Sequence, residues 1–157
     1  MKSIANLIAT LCLAALSSNA LSSEQWQTSW KGIGNLSIGD YQIAAKVTHY
    51  GNTKTIVFII EDEDTESCDI AGTMMYTNKE VVMYIDDQAI SAIGRCFKEE
   101  EGMLYNFIPK SEAGRKYVVG LFKVKTTPAS ISIGHIRFRL PTQGFSRVWN
   151  SVSDEVL

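Results

Sequence analysis

Histidine and cysteine are both scarce. Two histidines, His49 and His135, and three cysteines, Cys12, Cys68 and Cys96, occur in 157 residues. A zinc site would therefore have to recruit carboxylates, and a scaffold held mainly by disulfides is excluded. The three prolines, Pro109, Pro128 and Pro141, are too few for a proline-rich linker. Beyond the first stretch, no apolar run approaches the roughly 20 residues of a spanning helix. No G-x-S-x-G nucleophile turn occurs. "GIGNLSIG" lacks the preceding strand and following helix that a dinucleotide loop requires. The carboxylate run at Asp62, Asp64 and Glu66 has the first, third and fifth positions of a calcium loop. Ser67 then stands where the sharp turn needs Gly, and Thr73 where a bidentate Glu is needed. This run is expected to be a solvated loop. No catalytic residue, metal ligand or cofactor site is assigned, and the expectation is that the chain is not an enzyme.

The amino terminus is more informative. Lys2 precedes an apolar run from Ile4 to Leu16, and Ser18-Asn19-Ala20 supplies small residues for a peptidase. This pattern predicts a secretory signal peptide over 1–20, cleaved after Ala20, and a single β-rich domain over 21–157. No transmembrane segment is expected after cleavage. Cys12 leaves with the signal, so the mature chain keeps Cys68 and Cys96. An even, small cysteine count in an exported chain predicts one disulfide between them.

Acid is nearly absent from one half of the domain. From Gly102 to Asn150, Glu112 is the only carboxylate against eight lysines and arginines, a net of +7. From Glu61 to Glu101, twelve carboxylates face Lys79, Arg95 and Lys98, a net of −9. Uneven charge of this kind steers charged partners. Lys123, Lys125, Arg137, Arg139 and Arg147 form the candidate basic binding face. Nucleic acid does not suit an exported chain with an acidic overall balance. Another envelope or secreted protein, or an anionic envelope polymer, does.

Most of the chain reads as short strands. "YQIAAKVTHY", "KTIVFII", "VVMYID", "DQAISAIGRCF" and "MLYNFI" alternate or are rich in β-branched residues, with turns between them. "EQWQTSW" alternates Trp26, Thr28 and Trp30 as a first or edge strand would, whereas the glycines of "GIGNLSIGD" read as loop. "ASISIGHIRFRL" changes phase at Gly134, which predicts a bulge inside one strand.

Two segments have helical period. Ser111 is a good N-cap, Glu112 favours the dipole, and Tyr117, Val118, Leu121 and Phe122 form an apolar stripe that Pro128 must follow. After Pro141, Phe145, Val148, Trp149 and Val152 follow i, i+3, i+4, i+7. The fold class is therefore α+β: mainly antiparallel sheet, as a sandwich or open barrel, with one late inserted helix and one carboxy-terminal helix.

Paired cysteines, a short helix, a strand and a terminal "GFSRVW" resemble the small exported bacterial proteins of the invasion-associated locus B type. The resemblance covers the last third of the chain. It implies a β-rich envelope or secreted domain without an established catalytic residue, and it supplies no site residue. The leading expectation is a periplasmic or secreted binding module of inhibitor, immunity or accessory type. One alternative is a barrel-like carrier of an apolar small molecule, with Tyr41, Phe58, Tyr84 and Phe138 lining its cavity. A second is an uncharacterised hydrolase.

Overall fold

Alternating apolar residues build one long antiparallel sheet. The computed structural model describes residues 25–29, 31–63, 68–70, 73–74, 78–99 and 102–154. The expected signal peptide, Trp30 and residues 64–67 of the expected solvated loop lie outside them. The strands are β1 (Gly32–Ile38), β2 (Tyr41–Tyr50), β3 (Thr53–Asp62), β4 (Asp69–Ile70), β5 (Thr73–Met74), β6 (Lys79–Ile85), β7 (Gln88–Lys98), β8 (Met103–Pro109), β9 (Ala129–Ile133) and β10 (Ile136–Leu140). The helices are α1 (Glu112–Val124) and α2 (Phe145–Ser151). Eight strands form a single sheet in the order β1-β2-β3-β8-β7-β6-β9-β10, and β4 pairs with β5 as a separate hairpin. The large sheet curls into a half-barrel, which makes the expected α+β architecture an open barrel. Among the described residues no helix is long and apolar enough to cross a membrane.

One face of this sheet is the core. Ile43, Ala45 and Val47 on β2 align with Ile60, Phe58 and Ile56 on β3, and all six are buried. β8 continues the face through Tyr105 and Phe107, and β6 through Met83 and Ile85. The helices lie over this face. Val118 and Phe122 are the buried part of the α1 stripe, and Phe145 and Val148 that of α2. Ser111 caps α1 as expected, its Oγ accepting from Gly114 N at 2.9 Å.

Three local readings are corrected. "GIGNLSI" is strand β1, not loop, with a register irregularity between Ile33 and Leu36 that takes in Gly34, while Gly39-Asp40 is a turn. Trp26 is not part of a strand. Gln27 makes one isolated bridge to Gly32, and the Trp26 ring is fully buried, its centroid 4.9 Å from Phe145 and 5.8 Å from Phe122. Its Nε1 donates to Pro141 O at 2.8 Å, and its backbone N–H to Gln143 O at 3.1 Å. The segment before β1 is thereby fastened to the chain that follows β10, joining the two ends of the sheet. Gly144 permits this approach. Its φ is +85°, and a Cβ there would sit 2.9 Å from Trp26 O.

The third correction is at Gly134, which is not in a bulge. Ile133 pairs with Ile136 across the two-residue turn Gly134-His135, so the segment is a hairpin. Gly134 takes φ +58°, the positive angle a II′ turn needs at its first central position. Chain reversal explains the phase change. Ile131 lies opposite Phe138 and Ala129 opposite Leu140, so both apolar sets face the core.

The acidic stretch also differs from expectation. Glu61 and Asp62 extend β3, and Asp62 is buried, so the carboxylates do not begin in a solvated loop. Cys68 and Cys96 are bridged, with sulfurs 2.14 Å and Cα atoms 5.8 Å apart. Cys96 is in the core on β7, and Cys68 immediately precedes β4. The bridge therefore staples the β4–β5 excursion to the main sheet.

Candidate binding surface

The outward edge of α1 and the exposed side of α2 face each other across a groove of about 540 Å³. Its apolar lining is Val119, Gly120 and the ring of Trp149. Its charged lining is mostly cationic, with Lys54, Arg115, Lys116 and Lys123 against Glu112. Helical period places Glu112, Lys116, Val119 and Lys123 along one stripe of α1, beside the stripe that packs on the sheet.

The apolar stripe of Phe145, Val148, Trp149 and Val152 would bury Trp149 against the sheet. Instead it is half-buried: one part of the ring packs on Phe145 at 5.7 Å, and the rest faces the groove. Two ammonium groups lie over it, Lys54 Nζ at 4.8 Å and Lys123 Nζ at 5.2 Å from the ring centroid. Both distances suit cation–π attraction.

Lys54 has a structural task as well. It donates to Trp149 O at 3.2 Å and Val152 O at 3.0 Å, and it pairs with Asp154. It therefore adds a donor to the carbonyls at the end of α2, where Trp149 O also accepts from Val152 N, and complements that helix's negative pole. The Lys54 ammonium, with further help from the field of Lys123, holds the Asp154 carboxyl below its ordinary range. Lys116 pairs with Glu112 one turn away at 2.7 Å, and Arg115 Nη1 donates to Lys110 O at 2.6 Å. Lys123 makes no hydrogen bond or close ion pair among the described residues, so it is the lining cation most available to an incoming anion.

The five residues of the expected basic face separate. Lys123, Lys125 and Arg147 do come together, lining a second hollow of about 420 Å³ between the end of α1 and the start of α2. Arg137 and Arg139 do not join them. On β10 the core-facing residues are Ile136, Phe138 and Leu140, so the two arginines project from the opposite face of the sheet. Arg147 is exposed, with Nη2 3.4 Å from Trp26 O. Lys125 is the C-cap of α1, and its ammonium is occupied by an ion pair with Asp86.

Asp86 and Asp87 form the β6–β7 turn, both with positive φ. Asp86 is more than a solvated turn residue. It exchanges backbone and side-chain hydrogen bonds with Ser130, both at 2.9 Å, and so ties this turn to β9. Burial pulls its carboxyl upward, but the Lys125 ammonium and the Ser130 N–H outweigh that and hold it below the ordinary value of 3.8. A depressed folded-state pKa contributes stability that is present above the unfolded value and lost as pH falls through the folded one. Replacing Asp86 with Asn should therefore lower stability at pH 7 and flatten its decline below about pH 4. Urea midpoints of both proteins across that range check this. Parallel declines would show that Asp86 carries no such linkage.

The histidines stand apart. His49 is on β2 opposite Lys54, with Nε2 buried and unbonded among the described residues, and His135 is exposed in the β9–β10 turn. Among the described residues no three His, Cys, Asp or Glu side chains form a metal-holding group. The aromatics proposed for a ligand cavity are also divided. Phe58 and Phe138 fill the core, whereas Tyr84 is 49% exposed on the other face.

Lys54 and Trp149 were not singled out as binding residues by sequence reasoning. Lys54 meets α2 across roughly a hundred residues of chain, so no local pattern announces it. Trp149 fits a core stripe equally well, and spacing alone does not measure how much of a ring is covered. No family model, curated protein or solved structure matches this chain.

Proposed function

We propose that this protein is a non-enzymatic binding module exported to the periplasm or beyond, and that it docks an acidic segment of another envelope or secreted protein between α1 and α2. The observation that carries this reading is the groove itself. The Trp149 ring lies under the ammonium groups of Lys54 and Lys123 in a hollow also lined by Arg115, Lys116 and Glu112, and among the described residues Lys123 has no hydrogen bond or close ion pair. Tryptophan is among the residues that carry most binding energy at protein interfaces, and complementary charge at the edge of such a site steers the partner in. An acidic side chain entering here would meet the Lys123 ammonium, while neighbouring apolar atoms covered the exposed part of Trp149. The export pattern at 1–20, the Cys68–Cys96 bridge and the resemblance of the carboxy-terminal third to exported bacterial proteins support the compartment.

The test compares the mature protein with Lys123→Glu as baits in envelope extract, each at low and high salt. A partner held by this groove should be retained by the wild type, released as salt rises, and lost by about tenfold with the charge reversal. Equal retention by both baits would refute the groove as the docking site.

A further inference from the structure

The second free surface is at the end of the sheet. β10 is the last strand, and among the described residues it pairs with β9 alone. Ile133 and Ile136 close a two-residue hairpin, which makes them a hydrogen-bonded pair. Alternation then makes Phe138↔Ile131 and Leu140↔Ala129 the other bonded pairs, and leaves Arg137↔Ser132 and Arg139↔Ser130 as non-bonded ones. The residues of a non-bonded pair turn their main-chain groups away from each other. Ser130 shows this directly: its N–H and C=O both engage Asp86, on the side away from β10. The N–H and C=O of Arg137 and Arg139 consequently point outward, off the free edge of the sheet.

The side chains of the same two residues are exposed on one face, two positions apart. Neither guanidinium makes a hydrogen bond or ion pair among the described residues. Main-chain donors and acceptors for an added strand therefore coincide with two unneutralised cations at strand spacing. The row continues inward. Register places Arg137 beside Ser132, Ser132 beside Tyr84, and Tyr84 beside Ala89, so a half-exposed aromatic lies two strands from the edge on the arginine face.

We infer that β10 accepts an extended acidic peptide as an added strand, with carboxylates at alternate positions lying against Arg137 and Arg139. This is strand addition, in which main-chain hydrogen bonds hold the peptide and alternate side chains select it. A second copy of this chain is a poor occupant. Pairing β10 with itself brings arginines of the two copies alongside one another, and like charges on facing strands repel. The same charges that reject a copy favour a strand with acid at i and i+2. This site lies on the opposite face of the sheet from the α1–α2 groove and does not depend on it.

The probe is a short capped peptide alternating Glu and Val, with a counterpart alternating Lys and Val. Titration of the full mature protein is followed by amide hydrogen exchange. The Glu-Val peptide should bind, and exchange at the Arg137 and Arg139 amides should slow. The double variant Arg137→Glu/Arg139→Glu should bind it about tenfold more weakly and prefer the Lys-Val peptide. Both substitutions are at exposed positions, and an unchanged melting temperature would confirm that the variant folds. Lys123→Glu should leave this binding intact, which separates failure at the edge from failure in the groove. An anionic polysaccharide that bound through the arginines while both amides kept exchanging freely would overturn strand addition. So would peptide binding that ignores charge reversal, or no binding by either peptide.

Discussion

Replacing Trp26 with Ala should cost about 3–5 kcal/mol, the usual range for removing a large aromatic from a core. That is a large part of the 5–15 kcal/mol that holds a typical domain together. The ring is fully buried, meets Phe122 and Phe145 edge-on, and carries a hydrogen bond to Pro141 O. Its loss opens a cavity and detaches the segment before β1 from the chain after β10. Trp26→Phe should recover much of the packing while leaving the Pro141 carbonyl without its donor, at a cost of about 1–3 kcal/mol. Trp149→Ala should cost less than Trp26→Ala, because Trp149 gives up part of its ring to the groove. Denaturant midpoints of the three variants check the order. If Trp149→Ala proved the most damaging, the assignment of Trp26 as the central anchor would be wrong.

Removing the disulfide has the second largest expected effect. Cys68 and Cys96 are separated by 28 positions. Releasing a loop of that size costs about 3.5 kcal/mol in the chain-entropy model. For a domain of this length, the melting temperature of Cys68→Ser/Cys96→Ser should fall by about 10 °C. The loss has a location. β4 and β5 pair with each other and not with the large sheet, so the bridge is a covalent tie from that hairpin to β7. Reduction should release the hairpin before the sheet unfolds, seen as faster amide exchange there while β2 and β3 stay protected. Thiol labelling of the denatured, unreduced mature protein should find no free cysteine. Quantitative labelling of both, or an unchanged melting temperature in the double variant, would contradict the bridge.

Where one side of a segment faces the core and the other does not, the fold was legible residue by residue. β2 and β7 announced themselves by strict alternation, and α1 by its cap and stripe. The bridge followed from counting cysteines in a chain whose amino terminus reads as a secretory signal. β1 was not legible, because of the glycines that suggest a loop, Gly32 pairs regularly in the strand and Gly34 is accommodated by a register shift against β2. The hairpin at Gly134 was mistaken for a bulge because both devices reset the phase of an apolar pattern. Only the pairing of Ile133 with Ile136 distinguishes them.

The candidate surfaces were legible only in part. A net of +7 over the last third pointed to basic side chains, and Lys123 does line the groove. Charge counts carry no information about which face a residue occupies. They therefore grouped Arg137 and Arg139 with Lys123, although the sheet lies between them, and they counted Lys125 as free although Asp86 neutralises it. Within the same stretch Glu112 pairs with Lys116. What remains after these pairings is a smaller and more specific pattern than the composition suggested: Lys123 beside Trp149 on one side, and two arginines on a free edge on the other.

The central claim is that a protein partner occupies the α1–α2 groove in the cell envelope. A photoreactive residue introduced at Val119, in the lining of that groove, tests it in cells that export the protein. Ser37, exposed on β1, is the control position. Illumination should yield one discrete protein adduct at position 119, weakened by Lys123→Glu, and none at position 37. Adducts of equal yield at both positions, or an adduct at 119 that survives the charge reversal undiminished, would contradict the claim.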